Sequence, residues 1–154
     1  MKIAFIDIQN FRKLKGCRVE LSEDKTVFVG ANNSGKTSAM DALMIFLKKT
    51  RHKDLSTTDF TLSNWKSINQ IATDWIGVQN PDDLNLEIEP WNAYIPSVDI
   101  WLDVRDEEVH YVSHLIPTLE WAGGKLGVRL VFEPKKIEEL YKAYKSAFES
   151  GICQ

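Results

Sequence analysis

The chain has 154 residues, 44% of them hydrophobic and 27% charged, with a net charge of −3. That length suits one domain with a substantial core, so residues 1–154 are expected to form a single unit. The acidic balance argues against a broad nucleic-acid-binding face, and no apolar run approaches the about 20 residues of a membrane span. Cys17 and Cys153 stand far apart without metal-ligand spacing, which points to a reducing, cytoplasmic setting.

Lys2 to Gln9 reads as the first strand, with Ala4, Ile6 and Ile8 on one face. Ile3 and Phe5 make the other face apolar until Asp7 interrupts it. Asn10-Phe11-Arg12-Lys13 is a polar break, and Cys17 to Leu21 alternates cleanly as a second strand. Thr26-Val27-Phe28-Val29 is β-branched and aromatic, as a buried strand is. Residues 30–37 then read Gly-Ala-Asn-Asn-Ser-Gly-Lys-Thr, the spacing G-x-x-x-x-G-K-S/T. Met40, Leu43, Met44 and Leu47 put one apolar stripe on a following helix. Strand, glycine loop and helix together make this a phosphate-binding P-loop, for which the letters alone would not suffice.

Each position in the loop has a physical task. Gly30 ends the strand and permits a sharp turn, because it lacks a Cβ. Asn32 and Asn33 stand where a positive φ is needed, which Asn tolerates well. Gly35 lets the backbone approach phosphate, and amides from about Asn33 to Thr37 form an anion-binding nest at a helix N-terminus. Lys36 reaches the β- and γ-phosphates, Thr37 offers its hydroxyl to Mg²⁺, and Ser38 contacts the α-phosphate. The expected ligands are ATP and Mg²⁺.

Further along, the basic run Lys48, Lys49, Arg51, His52, Lys53 suits the negative end of the P-loop helix. Trp65, Ile68, Ala72 and Trp75 predict a helix capped by Ser63 or Asn64. Asn80-Pro81-Asp82 turns the chain. Val98, Ile100, Leu102 and Val104 alternate with polar or bulky residues as a strand. Val109, Val112, Ile116 and Leu119 return to helical spacing, with Pro117 ending or kinking the helix. Gly123-Gly124 leads into a strand from Leu126 to Phe132, and Ile137, Leu140, Tyr141, Tyr144 and Phe148 mark a final helix. His110 and His114, with Glu107 nearby, offer acceptable metal geometry but lack a third histidine or cysteine. Asp59 before Phe60 suits a turn or cap better than a second sphere of Mg²⁺.

Two patches outside the loop resemble a known group. The opening K-I-A-F-I-D-I-Q-N-F-R-K-L, with G-A-N-N-S-G-K-T-S from residue 30, resembles the N-terminus of ABC-type ATPases that act on DNA. These include the structural-maintenance-of-chromosomes (SMC), RecF and overcoming-lysogenization-defect (OLD) families. The Asn32-Asn33 pair and the stretch L-I-P-T-L-E-W-A-G-G-K-L-G-V-R-L-V-F-E-P at 115–134 look most like the OLD group, which includes bacterial defence proteins. The resemblance implies an α/β P-loop NTPase fold: the N-terminal lobe of an ABC-type head, with a mixed sheet and an antiparallel β layer. It also implies that Arg12, which by its residues alone reads equally well as an exposed loop cation, lies close to the nucleotide, that heads pair as a homodimer or with a partner lobe, and that DNA is the substrate.

The same resemblance shows what is missing. A complete head needs a later apolar strand ending Asp-Glu, to support Mg²⁺ and polarise water, and a signature loop for a partner's γ-phosphate. Ile100-Trp101-Leu102-Asp103-Val104 has the Asp but Val104 where the Glu belongs, so Asp103 reads better as the polar face of a strand. Gln70 and Gln79 are available as the glutamine near the attacking water, and neither follows a clear strand end. The expectation is a first lobe of a longer protein, followed in OLD proteins by a Toprim nuclease, that alone binds ATP weakly and does not turn it over. A self-contained small P-loop kinase or NTPase, and a non-catalytic interaction module, are the alternatives.

Overall fold

A computed structural model of the protein describes residues 1–22, 26, 35–78, 84–116, 118, 121 and 124–151. Strands β1 (Lys2–Phe11), β2 (Leu14–Glu20), β3 (Ser97–Val104) and β4 (Gly124–Val131) form a sheet in the order β2-β1-β3-β4. Every neighbouring pair is antiparallel. This is the antiparallel layer that the sequence predicts. The strand expected at 26–29, which would make the sheet mixed, lies outside the described residues except for Thr26.

One face of the sheet buries Ile6, Ile8, Val19 and Val98 against helix α1 (Lys36–Leu47). An irregularity between Ile3 and Phe5 in the β1–β3 register breaks strict alternation. It puts Ile3 with the core residues and leaves Phe5 on the opposite face, stacked on Trp101 at 5.6 Å. The polar break after Gln9 is also shorter than the sequence suggests. β1 runs on to Phe11, β2 begins at Leu14, and only Arg12 and Lys13 turn between them. Arg12 has φ 51°, as a residue in a two-residue hairpin turn does.

The outer face carries one row of charge across all four strands. Arg18, Asp7, Asp99 and Arg129 lie side by side by register. Two carboxylates opposite one another repel, and each is forked by the arginine on its outer side. Arg18 donates to Asp7 at 2.7 and 2.8 Å, and Arg129 donates to Asp99 at 2.7 Å twice. The hydrogen bonds from Arg18 hold the Asp7 carboxyl below the usual carboxylate range. A depressed folded-state value means this contribution is complete above about pH 4 and is lost as pH falls through the lowered value. Thermal melts of Asp7→Asn between pH 2.5 and 6 are therefore expected to show a shallower acid limb than wild type, most visibly at low salt.

Helix α1 corrects the sequence expectation about its face. Ala39, Ala42, Ile45 and Phe46 are buried, whereas Met40, Met44 and Leu47 are 52, 46 and 45% exposed. The helix is apolar on nearly every side, so periodicity could not select the face. Two alanines against the sheet allow close approach of the backbones. Nor does the basic run lie in the last turn of α1. Lys49–Asp54 forms its own 3₁₀ segment, in which Arg51 pairs with Asp54. His52 alone returns to the helix end, its Nε2 lying 2.9 Å from Phe46 O.

A second core joins helix α2 (Trp65–Gly77) to helix α3 (Ile137–Glu149) through Ile68, Ala72, Trp75, Trp91 and Ile95, with Leu140, Tyr141 and Tyr144 packed on it. Both helices match their predicted spacing. The helix expected over 109–119 does not form. Asp106–Tyr111 and Ser113–Leu115 are separate 3₁₀ segments, broken at Val112 with φ −113° and ψ 11°. Val112 is buried with Val104 and Leu126, and this anchoring takes precedence over helical continuity. Pro117 lies outside the described residues. Among the described residues, no helix is long and apolar enough to cross a membrane.

Candidate nucleotide-binding site

Gly30, Asn32, Asn33 and Ser34 lie outside the described residues, so the site is built from Gly35 onward. Gly35 is the N-cap of α1 with φ 89°, a left-handed conformation that disfavours any residue with a Cβ. A Cβ there would also lie 2.7 Å from Leu14 Cδ2. The hairpin turn and the start of the P-loop helix are thus in direct contact. Lys36, Thr37 and Ser38 form the first turn of α1, with Thr37 exposed and the other two half-buried.

The end of this helix is prepared for an anion. Ala39 N–H bonds to Gly35 O at 2.9 Å, and the amides before it have no carbonyl within the helix to bond. Among the described residues no side chain caps the end, and no acidic residue stands in its first turn. Helix α3, by contrast, places Glu138 and Glu139 in its first turn. The N-terminal end of a helix carries a positive field that attracts an anion. This donor set fits a nucleotide phosphate: backbone amides, the Lys36 ammonium, and the Thr37 and Ser38 hydroxyls. Lys36 would hold the outer phosphates and Thr37 a Mg²⁺ ion, whose charge would offset that of the triphosphate.

Arg12 stands beside α1 as part of a buried seam. The backbone of Asn10, Phe11 and Arg12 pairs with residues 59–61. Arg12 N donates to Asp59 O at 2.6 Å, Thr61 N donates to Asn10 O at 3.2 Å, and Phe11 bridges Phe60. Asn10 takes φ 55°, and its side-chain amide donates to Ala93 O at 3.0 Å and Ile95 O at 3.3 Å. Asn64 does not cap α2 as expected. Its Nδ2 donates to Asn10 Oδ1 at 2.9 Å and to Tyr94 O at 3.1 Å. Long-range contacts compete successfully for this side chain because it is buried, where an unmet donor is costly.

The Arg12 guanidinium is paired twice. Nε donates to Asp59 Oδ1 at 2.8 Å, and Nη1 donates to Asp41, which stands on α1. Burial opposes its charge, but Asp59 and Asp41 outweigh burial and raise its pKa further. Arg12 is therefore no loose surface cation. Asp59 is 4% exposed and also accepts from Ser56 N at 3.0 Å, so the cap expected of it is present as well. Sequence reasoning missed Asp41. Nothing in its spacing marks it, since its partner lies 29 residues earlier.

Other candidates fall away. Asp103 pairs with Lys2, at the far end of β1 from Arg12 and roughly 30 Å of strand away, which removes it from the phosphate site. His110 and His114 are exposed and sit in different 3₁₀ segments. Among the described residues no group of three or more metal-ligating side chains assembles. Gln70 donates to Asp74 along α2, and Gln79 lies outside the described residues.

A family model described as the AAA ATPase domain matches residues 1–151. The chain belongs to that family. Its fold is the α/β fold of a P-loop ATPase domain, with β1–β4 as an antiparallel layer. The "DNA replication and repair protein RecF" of Geotalea daltonii is 23% identical to this ATPase domain over 160 residues, covering 99% of the domain. The chain spans 40% of that relative's length. A solved structure from work on "ATP-driven dimerization and DNA stimulated activation of SMC ATPases" aligns with 96% of the domain and 80% of that chain, at 17% identity. Its TM-score of 0.40 marks a distant likeness.

Proposed function

We propose that this ATPase domain, residues 1–154, is the ATP- and Mg²⁺-binding N-terminal lobe of an OLD-like DNA-processing ATPase. The observation that carries the nucleotide site is the N-terminus of α1, uncapped among the described residues, behind a left-handed Gly35. Lys36, Thr37 and Ser38 are the ligating side chains, with Gly30 to Gly35 supplying backbone amides and Arg12 standing beside the phosphates. The Asn32-Asn33 pair and residues 115–134 favour the OLD group, and with it a downstream endonuclease and a role in anti-phage defence. A RecF relative described as acting in DNA replication and repair favours DNA over RNA as the polymer served. The exposed Met40, Met44 and Leu47 favour a further lobe or a second copy packing on α1. The setting is cytoplasmic, as the cysteine content suggests.

In this proposal the lobe binds ATP but does not hydrolyse it alone, because the Asp-Glu strand and the signature loop have no counterpart in its sequence. A phosphate-release assay on the purified chain with Mg·ATP is the test. Turnover at background is expected. Steady release well above background, abolished by Lys36→Ala, would overturn the lobe assignment in favour of a self-contained P-loop NTPase.

A further inference from the structure

We infer that Asp41 and Asp59 control the Arg12 guanidinium in opposite senses: Asp59 fixes it beside the phosphate site, and Asp41 holds it in place of phosphate until nucleotide arrives. This rests on the nucleotide site proposed above and adds a regulatory pair to it. Asp59 is suited to a permanent anchor. It is buried, its other oxygen is held by Ser56 N at 3.0 Å, and its backbone carbonyl accepts from Arg12 N at 2.6 Å. Asp41 is suited to an exchangeable partner. Its side chain is 41% exposed, it accepts from the outer nitrogen Nη1, and it rides on the P-loop helix itself.

The geometry keeps Arg12 within reach of phosphate. Asp41 lies five residues past Lys36, or roughly 8 Å along the helix axis. The turn that bears Arg12 leads directly into Leu14, which contacts Gly35. A guanidinium hinged at Nε can leave one carboxylate and meet a phosphate without losing the other, since its donors form a planar fork. Exchange of this kind sets nucleotide affinity as a competition. The half-exposed Asp41 contact is the weaker one to surrender, whereas the buried Asp59 contact persists.

The two aspartates are therefore expected to shift Mg·ATP affinity in opposite directions. By calorimetric titration, Asp41→Asn should bind about threefold tighter than wild type, and Asp59→Asn about fivefold weaker. Loss of a negative charge near a triphosphate would by itself tighten binding, so the decisive arm is a double-mutant cycle. In an Arg12→Gln background the Asp41→Asn gain should vanish, and melting temperatures establish that each variant is folded. A gain that persists without Arg12, an Asp41→Asn protein that binds no tighter than wild type, or an Asp59→Asn protein that binds as well as wild type overturns the inference. Should Lys36→Ala bind ATP as well as wild type, or should neither protein bind, the site assignment fails and this inference fails with it. A flat cycle in a protein that still needs Lys36 rejects the aspartate pair alone.

Discussion

Phe11→Ala is expected to destabilise the protein by about 3–5 kcal/mol, the cost of deleting a large side chain from a tightly packed core. Phe11 is fully buried, packs edge-on against Phe46 at 6.4 Å and bridges Phe60. It is where the sheet, the P-loop helix and the segment that holds Arg12 meet. Urea unfolding followed by tryptophan fluorescence would read the loss as a lower midpoint at unchanged slope. A loss under about 1 kcal/mol would mean the site collapses around the vacancy, and the packing described for Phe11 would be wrong. Its neighbour in the motif, Arg12, stands over the Phe11 ring at 5.0 Å, so Phe11→Ala removes that contact too, while the pairs of Arg12 with Asp59 and Asp41 remain. Phe11→Ala should lower stability far more than it changes which groups the guanidinium pairs with.

Lys36→Ala is expected to weaken Mg·ATP binding by about 10–100-fold, the range for removing a hydrogen bond to a charged group. Lys36 stands at the first position of α1, directly after the left-handed Gly35, where in the proposed site the helix field and the ammonium would act on one ligand. The fold should tolerate the change, because alanine is a favourable helix residue at that position. Calorimetric titration of ATP into both proteins measures the ratio, and circular dichroism checks that α1 survives. Equal affinity in the two proteins would remove the phosphate role assigned to Lys36.

Several elements were legible because their signal is local. The alternation in β3, the spacing in α2 and α3, and the G-x-x-x-x-G-K-S/T run each rest on neighbours within a few residues. The misreadings share one cause. Residues 109–119 have helical spacing, but burial of Val112 beside Val104 and Leu126 divides them into two short turns. The Met40-Leu43-Met44-Leu47 stripe is genuine, yet a helix apolar all round offers several such stripes, and the sheet selected the one with alanines. Asn64 sits at the predicted start of a helix, but a buried partner 54 residues away claims its side chain.

By itself the sequence carried the P-loop motif and determined most of the strand and helix positions, because glycine conformation and side-chain periodicity act over a turn or less. Only the tertiary structure decided that Arg12 is held between Asp59 and Asp41, that Asp103 lies at the opposite end of the sheet, and which face of α1 is covered. Those outcomes depend on which distant segments exclude water together. That is a property of the packed whole, and no window of neighbouring residues carries it.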